Sequence, residues 1–560
     1  MDTLKRVAAV IVVVALAFTA FTIATRVTGN KTESELDAAG APSGTWLTAS
    51  CELPPAHLRR LVAGTYEGRS PDLQYVPKAP NLFGSFEMTT HSGPWGYLQD
   101  VPLVLYGPGY IESQGDLTLD RRVTVADIAA TFAELLGTSL PEDRPARSIS
   151  EALLPAEARS EPPRMVLLVV WDGGGWNVLN RWPNTWPVLK SLMAEGTSVQ
   201  NAEVGSSPSV TPATHTTMGS GDFPSVHGIV DIPMRRGGRV VNSFPNKSPK
   251  FMAIETLADL YDPTTNNRSK IGVMAERAWH LGMLGHGAYL EDGDKDFAVL
   301  THGAPKGETF TANTNFYRLP GYLERVRGFA ADRQNVDLSD GKDDGLWMGH
   351  PLQTEKKAGA TNPLWTRYQL RVLKKLWTTE QFGQDSVPDL FFTNFKEVDL
   401  VGHGHNMVLP EMRSTLEHTD EILGKLVRHL DRSIGRGRWV MAMTADHGQG
   451  PAPRTTGGWP IEMEELQRDI ARAVGVNDPA NLYQGQRPTG MWFNPRTMAR
   501  KGIALEDIAD FIMGYKIGDN VIRGKTVPRA YRDRLNEKLF AAAMPTNRLD
   551  EVQACAEALP

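Results

Sequence analysis

Cysteine is nearly missing from this chain: Cys51 and Cys555, close to opposite ends, are the two in 560 residues. So few exclude a disulfide scaffold or a cysteine-ligated zinc module, although one bridge would suit an oxidising compartment. An excess of basic charge is also missing. Lys and Arg number 59 against 65 Asp and Glu, for a net charge of −6, and no basic run exceeds pairs such as Arg235–Arg236. Nucleic acid is therefore not expected as a partner. No internal repeat is visible. Long hydrophobic runs are missing with one exception, Val7–Thr25, preceded by Lys5 and Arg6. Nineteen helical residues span about 28 Å, close to the hydrocarbon thickness of a bilayer. Residues 1–29 are thus expected to be a transmembrane anchor or a signal segment. The run is longer than a cleaved signal's usual apolar region and lacks a clear small-x-small site, which favours a retained anchor. Basic residues ahead of the run keep the N-terminus inside, so the body is expected on the extracytoplasmic side. The polar, small-residue stretch at 30–45 reads as a tether.

What is present is the pattern of an α/β protein. "MVLLVVWD" (165–172), "DLFFTNF" (389–395) and "RWVMAMTADHG" (438–448) are short apolar runs, as strands covered on both faces require. Stretches with helical periodicity, such as "MRSTLEHTDEILGKLVRHLD", lie between them. The predicted fold is a mostly parallel central sheet with helices on both faces. Residues 46–138 also alternate helix and strand signals, with "VPLVLYG" as a buried strand and "TVADIAATFAELLG" as an amphipathic helix ended by Gly137. Residues 139–164, rich in Pro, Ser and charge, read as a linker, and 165–560 as the main catalytic part. The Gly- and Asp-rich text around 270–360 is expected to form a cap inserted over the site.

Three aspartates close or follow these strands: Asp172, Asp399 and Asp446. Ligand sites in open α/β sheets form beyond the carboxyl ends of strands. Three carboxylates gathered there repel unless cations neutralise them. His403 stands four residues after Asp399 and His447 directly after Asp446. Singly, a strand-end Asp is more often a helix cap and a lone His a hydrogen-bonded structural residue; the joint Asp/His set suits borderline cations such as zinc. Thr211, at a Pro-flanked bend in "SVTPATHTTMGSG", is either an N-cap or a hydroxyl activated at a helix N-terminus.

Taken in order, "VVWDGGGW", "SVTPATHTTMGSGDFPSVHGI", "KEVDLVGHGH" and "TADHG" resemble the alkaline phosphatase superfamily, nearest its type I phosphodiesterase/nucleotide pyrophosphatase branch. That resemblance implies two divalent ions, Zn2+ in the family, and a threonine or serine nucleophile. Carried over, Thr211 is the nucleophile, and Asp172, Thr211, Asp446 and His447 hold the ion that activates it. Asp399 and His403 supply two of the three ligands of the second ion. The third is a histidine near the C-terminus in the family, yet no histidine follows His447. "MTTHSGPWGYLQDVPLVLYGPG" (88–109) resembles the family's late segment, so His91 is expected to fill the place. The chain then reads as circularly permuted, with 46–138 equivalent to the family's C-terminal part. Its cut ends would lie together, which implies a Cys51–Cys555 disulfide. One departure is plain. Asp231 and Ile232 follow the "HGI" turn where family phosphodiesterases tend to carry an asparagine that contacts a phosphoryl oxygen, so monoester or diester preference stays open. His405 and His227 are assigned structural roles.

The expected function is two-metal hydrolysis of a phosphate ester through a phosphothreonine intermediate. The alternatives are a phospho-headgroup transferase sharing every site residue, or a non-catalytic metal-binding envelope protein. A sulfatase is disfavoured, because "VTPATH" lacks both the Cys or Ser precursor and the arginine of that signature.

Overall fold

In the computed structural model, which describes residues 45–87, 89–159, 161–353, 361–522 and 525–559, the run Met165–Trp171 is a strand buried along its whole length. Its side chains alternate between two cores. Val166, Leu168 and Val170 pack into one, and Met165, Leu167, Val169 and Trp171 into the other. A period of two with both faces apolar is the signature of a strand in the middle of a covered sheet. The expected segment 1–29 and residues 30–44 of the tether lie outside the described residues. Among the described residues, no helix is long and apolar enough to cross a membrane.

Two sheets carry the architecture. Their strands in chain order are β1 (Leu73–Pro77), β2 (Leu103–Tyr106), β3 (Gly115–Leu117), β4 (Met165–Trp171), β5 (Thr197–Val199), β6 (Ile271–Ala275), β7 (Phe297–Leu300), β8 (Asp389–Phe395), β9 (Trp439–Thr444), β10 (Tyr483–Arg487), β11 (Gly490–Phe493) and β12 (Phe540–Pro545). The helices that matter for the site are α1 (Thr45–Cys51), α2 (Asp127–Leu136), α3 (Thr211–Ser220), α4 (Leu364–Glu380), α5 (Glu397–His405), α6 (Pro410–Leu430) and α7 (Leu549–Glu557). The central sheet has eight strands in the order β7-β6-β8-β4-β9-β2-β5-β3. β2 runs antiparallel to both its neighbours, and the other pairings are parallel. Helices α2 and α3 contribute to the core on one face and α4 and α6 to the core on the other.

The reversed strand decides how the site is assembled. In register, Leu103 of β2 pairs with Thr444 of β9. The segment entering β2 therefore lies at the same sheet edge as the chain leaving β4, β8 and β9. A strand more than 60 residues upstream of β4 thus joins the same sheet, and its leading loop faces the strand-end aspartates.

The smaller sheet has the order β10-β11-β1-β12. β1 sits between β11 and β12, antiparallel to both. One core packs Trp46, Leu58, Leu73 and Tyr75 with Ile470, Phe493, Ile512 and Val552. Residues from the two ends of the chain therefore form one unit, and Cys51 of α1 is joined to Cys555 of α7 by a disulfide with Cα atoms 5.6 Å apart.

Two stretches differ from their sequence description. The region 270–360 is not wholly a cap, because β6 and β7 are parallel strands at the edge of the central sheet. Their apolar runs, "IGVMA" and "FAVL", are only five and four residues long, and the surrounding Gly and Asp mask them. The described residues of the linker 139–164 form no α-helix or sheet strand, but they are pinned down. Ile149 and Leu153 are buried in the main core. The Arg147 and Ile149 amides donate to Asp127 Oδ1 (2.8 Å) and Thr131 Oγ1 (3.0 Å) of α2.

Candidate active site and metal centre

The chain leaves β4 at Asp172, enters "GGG" and starts a short helix. Gly173 has φ +70°, and a Cβ there would lie 2.5 Å from Gln449 Nε2 and 3.1 Å from the Cα of Asp399. Only glycine allows the three strand ends to come this close. The Gly173 amide donates to Asp446 Oδ1 at 2.9 Å, tying the end of β4 to the end of β9. Thr211 is the first residue of α3, followed by Pro212, a placement that needs no N–H from the proline. Every residue of α3 is buried although most are polar. Hydrogen bonds from the Thr216 and Ser220 hydroxyls to carbonyls one turn back offset part of the cost.

The side chains named from the sequence converge. His403 Nε2 lies 3.2 Å and His91 Nε2 3.8 Å from Asp399 Oδ1. His447 Nε2 lies 3.4 Å from Asp446 Oδ2 and 3.6 Å from Asp172 Oδ1. These separations match ligands that share a tetrahedral ion, where Zn–N and Zn–O bonds of about 2.0–2.1 Å place donors about 3.3 Å apart. The rings of His91 and His447 stack at 3.5 Å, so the two groups adjoin.

Hydrogen bonding fixes the tautomers. The Nδ1 atoms of His91, His403 and His447 lie 2.9, 3.0 and 3.0 Å from the carbonyl oxygens of Ser209, Thr89 and Gly448. A carbonyl only accepts, so each Nδ1 carries a proton and each Nε2 is the nitrogen turned to the carboxylates, the orientation of metal-bound imidazoles. Burial lowers the pKa of His91 far below its usual value, and the neighbouring His447 adds to this. Burial also lowers His447, whereas Asp399 raises His403 against the effect of burial, so a cation bound there would displace a proton. Neutral imidazole is the form that ligates. Asp399 Oδ1, Asp446 Oδ2 and His447 Nε2 are buried with no hydrogen-bond partner among the described residues. Orphaned acceptors of this kind are costly; two divalent cations held by Asp172, Asp446, His447 and Thr211 and by Asp399, His403 and His91 would satisfy them.

Sequence reasoning missed the cation already present. Lys396, directly after β8, places Nζ 2.7 Å from Asp172 Oδ1, 2.8 Å from Asp399 Oδ2 and 3.1 Å from Thr211 Oγ1. Burial opposes its charge, but Asp172, Asp399 and Asp446 outweigh burial and raise its pKa. Burial likewise opposes ionisation of Asp399, while Lys396 and His403 bring its pKa well below normal. Asp172 is raised by burial and then by Asp446, with Lys396 opposing. The signal was available: Lys396 is three residues before Asp399, on the same helical face. Asn394 was also missed. It donates to Asp172 Oδ2 (2.9 Å), and its amide lies 3.1 Å from His215 Nε2. His215 and His280 flank Asp172; His215 stands in the "TPATH" segment four residues after Thr211 but was given no role, and His280 belongs to no spacing pattern the sequence displays.

Other expectations resolve simply. His227 is buried, with Nε2 3.1 Å from the Thr217 hydroxyl and Nδ1 accepting from the Ile229 amide. Asp231 is buried and paired with Arg487 at 3.1 Å, and its Oδ1 accepts from the Ile232 amide.

The model of the family described as type I phosphodiesterase / nucleotide pyrophosphatase matches residues 166–512. Among curated proteins, the chain is 22% identical over 399 residues to alkaline phosphatase PafA of Elizabethkingia meningoseptica, covering 63% of this chain and 72% of that protein. It is 26% identical over 329 residues to alkaline phosphatase PhoV of Synechococcus elongatus, covering 52% of this chain and 60% of PhoV. Among solved structures, wild-type PafA aligns with a TM-score of 0.49 at 17% identity, over 68% of this chain and 84% of that one. With more than half its length matched and the strand-end Asp/His set inside that match, the chain belongs to the type I phosphodiesterase/nucleotide pyrophosphatase family of phosphoric ester hydrolases.

Proposed function

We propose that the protein hydrolyses a phosphate ester by covalent catalysis at Thr211, on the extracytoplasmic side of a membrane. One observation carries this. The Thr211 hydroxyl shares a single buried ammonium, Lys396, with Asp172 and Asp399, while the facing atoms of Asp399, Asp446 and His447 have no partner among the described residues. Thr211 Oγ1 attacks phosphorus in line and the bond to the leaving alcohol breaks, giving phosphothreonine, which water then cleaves. Lys396 and the N-terminus of α3 stabilise the threonine alkoxide. Two divalent cations, most suitably Zn2+ given the Asp/His donors, supply positive charge to the attacking and leaving oxygens when bound. The role of His91, His403 and His447 is to present fixed neutral nitrogens, and that of the three aspartates to balance the charge.

We also read the chain as circularly permuted relative to its family. The family match begins at 166, at the start of β4, and omits the segment that contributes β1, β2 and His91 to the two sheets and the site. The extracytoplasmic placement is supported by the Cys51–Cys555 disulfide and the apolar run Val7–Thr25.

Thr211→Ala tests the mechanism. It is expected to keep its metal and its fold, to lose turnover by about four orders of magnitude or more on the best phosphoester, and to leave no acid-stable phosphoprotein in a quench experiment. Near-normal turnover in the alanine variant would exclude the covalent route.

A further inference from the structure

The helix that carries Asp399 and His403 ends on a histidine with different surroundings. His405, two residues beyond His403 and about 200° around α5, lies with His350 and Glu411 in a second donor cluster, all candidate ligand atoms within 4.8 Å of one another. The three come from different elements. His350 stands in the two-stranded hairpin of Leu346–Trp347 and His350–Pro351, His405 is the last residue of α5, and Glu411 is in the first turn of α6.

The geometry is that of a ligand set rather than of one ion pair. His350 Nε2 lies 3.1 Å from Glu411 Oε1, near the edge of about 3.3 Å expected between two donors on one tetrahedral zinc-class ion. His405 Nε2 lies 3.1 Å from the Thr361 carbonyl oxygen. That nitrogen must carry the proton, which leaves Nδ1 with its lone pair, the outer-sphere pattern of metal-bound histidine. The other oxygen, Glu411 Oε2, is buried with no partner among the described residues. The two imidazole rings lie 4.1 Å apart, and the buried Trp347 ring packs near both. A His350–Glu411 pair would account for one contact and leave the oriented Nδ1 of His405 and the orphaned Glu411 oxygen unexplained.

We propose that His350, His405 and Glu411 form a third divalent transition-metal site, distinct from the pair at the strand ends. Two imidazoles and one carboxylate suit a zinc-class ion, with the fourth position left to water. Its ion links the C-terminal end of α5 to the hairpin and to α6, and so fixes the helix whose other side presents Asp399 and His403.

The test is cobalt(II) titration of the metal-stripped full-length protein, read by visible d–d absorption and by elemental metal count after gel filtration. Wild type is expected to bind one equivalent more than His350→Ala or Glu411→Gln at the same micromolar free cobalt. Affinity for that equivalent should fall by at least on the order of 100-fold in each variant. Glu411→Gln keeps the side-chain shape, and an unchanged thermal transition of its metal-free form ensures that the lost equivalent reports ligation rather than folding. Equal counts in wild type and Glu411→Gln would overturn the site, as would an extra wild-type equivalent seen only at millimolar cobalt. The result is separate from the catalytic proposal: Thr211→Ala should leave this equivalent in place whether or not Thr211 is the nucleophile.

Discussion

Lys396 sets the charge of the site before any ion binds, because its ammonium lies within hydrogen-bond reach of two aspartates and of Thr211. Replacing it by methionine removes a positive charge next to the attacking oxygen while leaving all seven proposed metal ligands. Lys396→Met is therefore expected to bind zinc at least as tightly as wild type, since a competing cation is gone, yet to lose about 10²–10³ in kcat, the scale of one preorganised charge donor. Zinc count and kcat at saturating zinc check this; unchanged kcat would make Lys396 purely structural. A second residue-scale effect belongs to His227. Burial pushes its pKa down to about 3 from about 6.5 in the unfolded chain. With the folded value below the unfolded one, its neutral form contributes stability that is fully present above pH 6.5. That stability is lost as pH falls towards 3, because the unfolded chain alone takes up the proton. Wild type is expected to lose stability faster than His227→Gln between pH 6.5 and 4, by up to about 1.4 kcal/mol per pH unit. Urea unfolding across that range measures the difference.

At the scale of elements, α5 positions two proposed ligands of a second cation, Asp399 and His403, through a packing detail. A Cβ at Gly402 would fall 1.7 Å from Gln449 Oε1, and Gln449 donates to the Val398 carbonyl at 3.1 Å. Gly402→Ala must move the helix or expel the glutamine. The expected result is a loss of about 1–3 kcal/mol in stability and at least about tenfold weaker zinc binding at the Asp399–His403–His91 set, measured by urea unfolding and chelator competition. Retained affinity would show that α5 tolerates the shift. Elements also differ in how readable they are. β4, β8 and β9 are seven, seven and six residues long and stand out as apolar runs ending in Asp or leading to it. β6 and β7 are shorter, and only the pairing of β6 with β8 and of β7 with β6 distinguishes them from buried loop text.

At the scale of the molecule, the disulfide and the split core make one unit of the two chain ends. Closing a loop between residues 504 apart is worth roughly 6 kcal/mol in the chain-entropy model, with native strain subtracting from it. Cys51→Ser with Cys555→Ser is expected to lower the thermal transition markedly while sparing kcat, since neither residue touches the site; an unchanged transition would mean that the smaller core holds the ends unaided. The permutation has its own test. Joining 559 to 45 by a short linker and opening the chain between the exposed Glu142 and Asp143 is expected to give a folded enzyme with unaltered kcat. Failure of the rejoined chain to fold would count against a family order hidden in this one.

The sequence alone determined the α/β class, the longer buried strands, and the Asp172, Asp399, His403, Asp446 and His447 pattern, because strand periodicity and short motif spacing are local properties; Thr211 was singled out as the nucleophile only by the family resemblance. His91 was reached through resemblance, since its partners lie more than 300 residues away in the chain. Tertiary structure alone decided that β2 runs against its neighbours and so brings His91 to the strand ends, that Lys396 turns into the carboxylate cluster, and that His350, His405 and Glu411 meet. Each depends on strand direction, helix rotation or the packing of separate elements, and these follow from which buried surfaces fit together rather than from any one segment's composition.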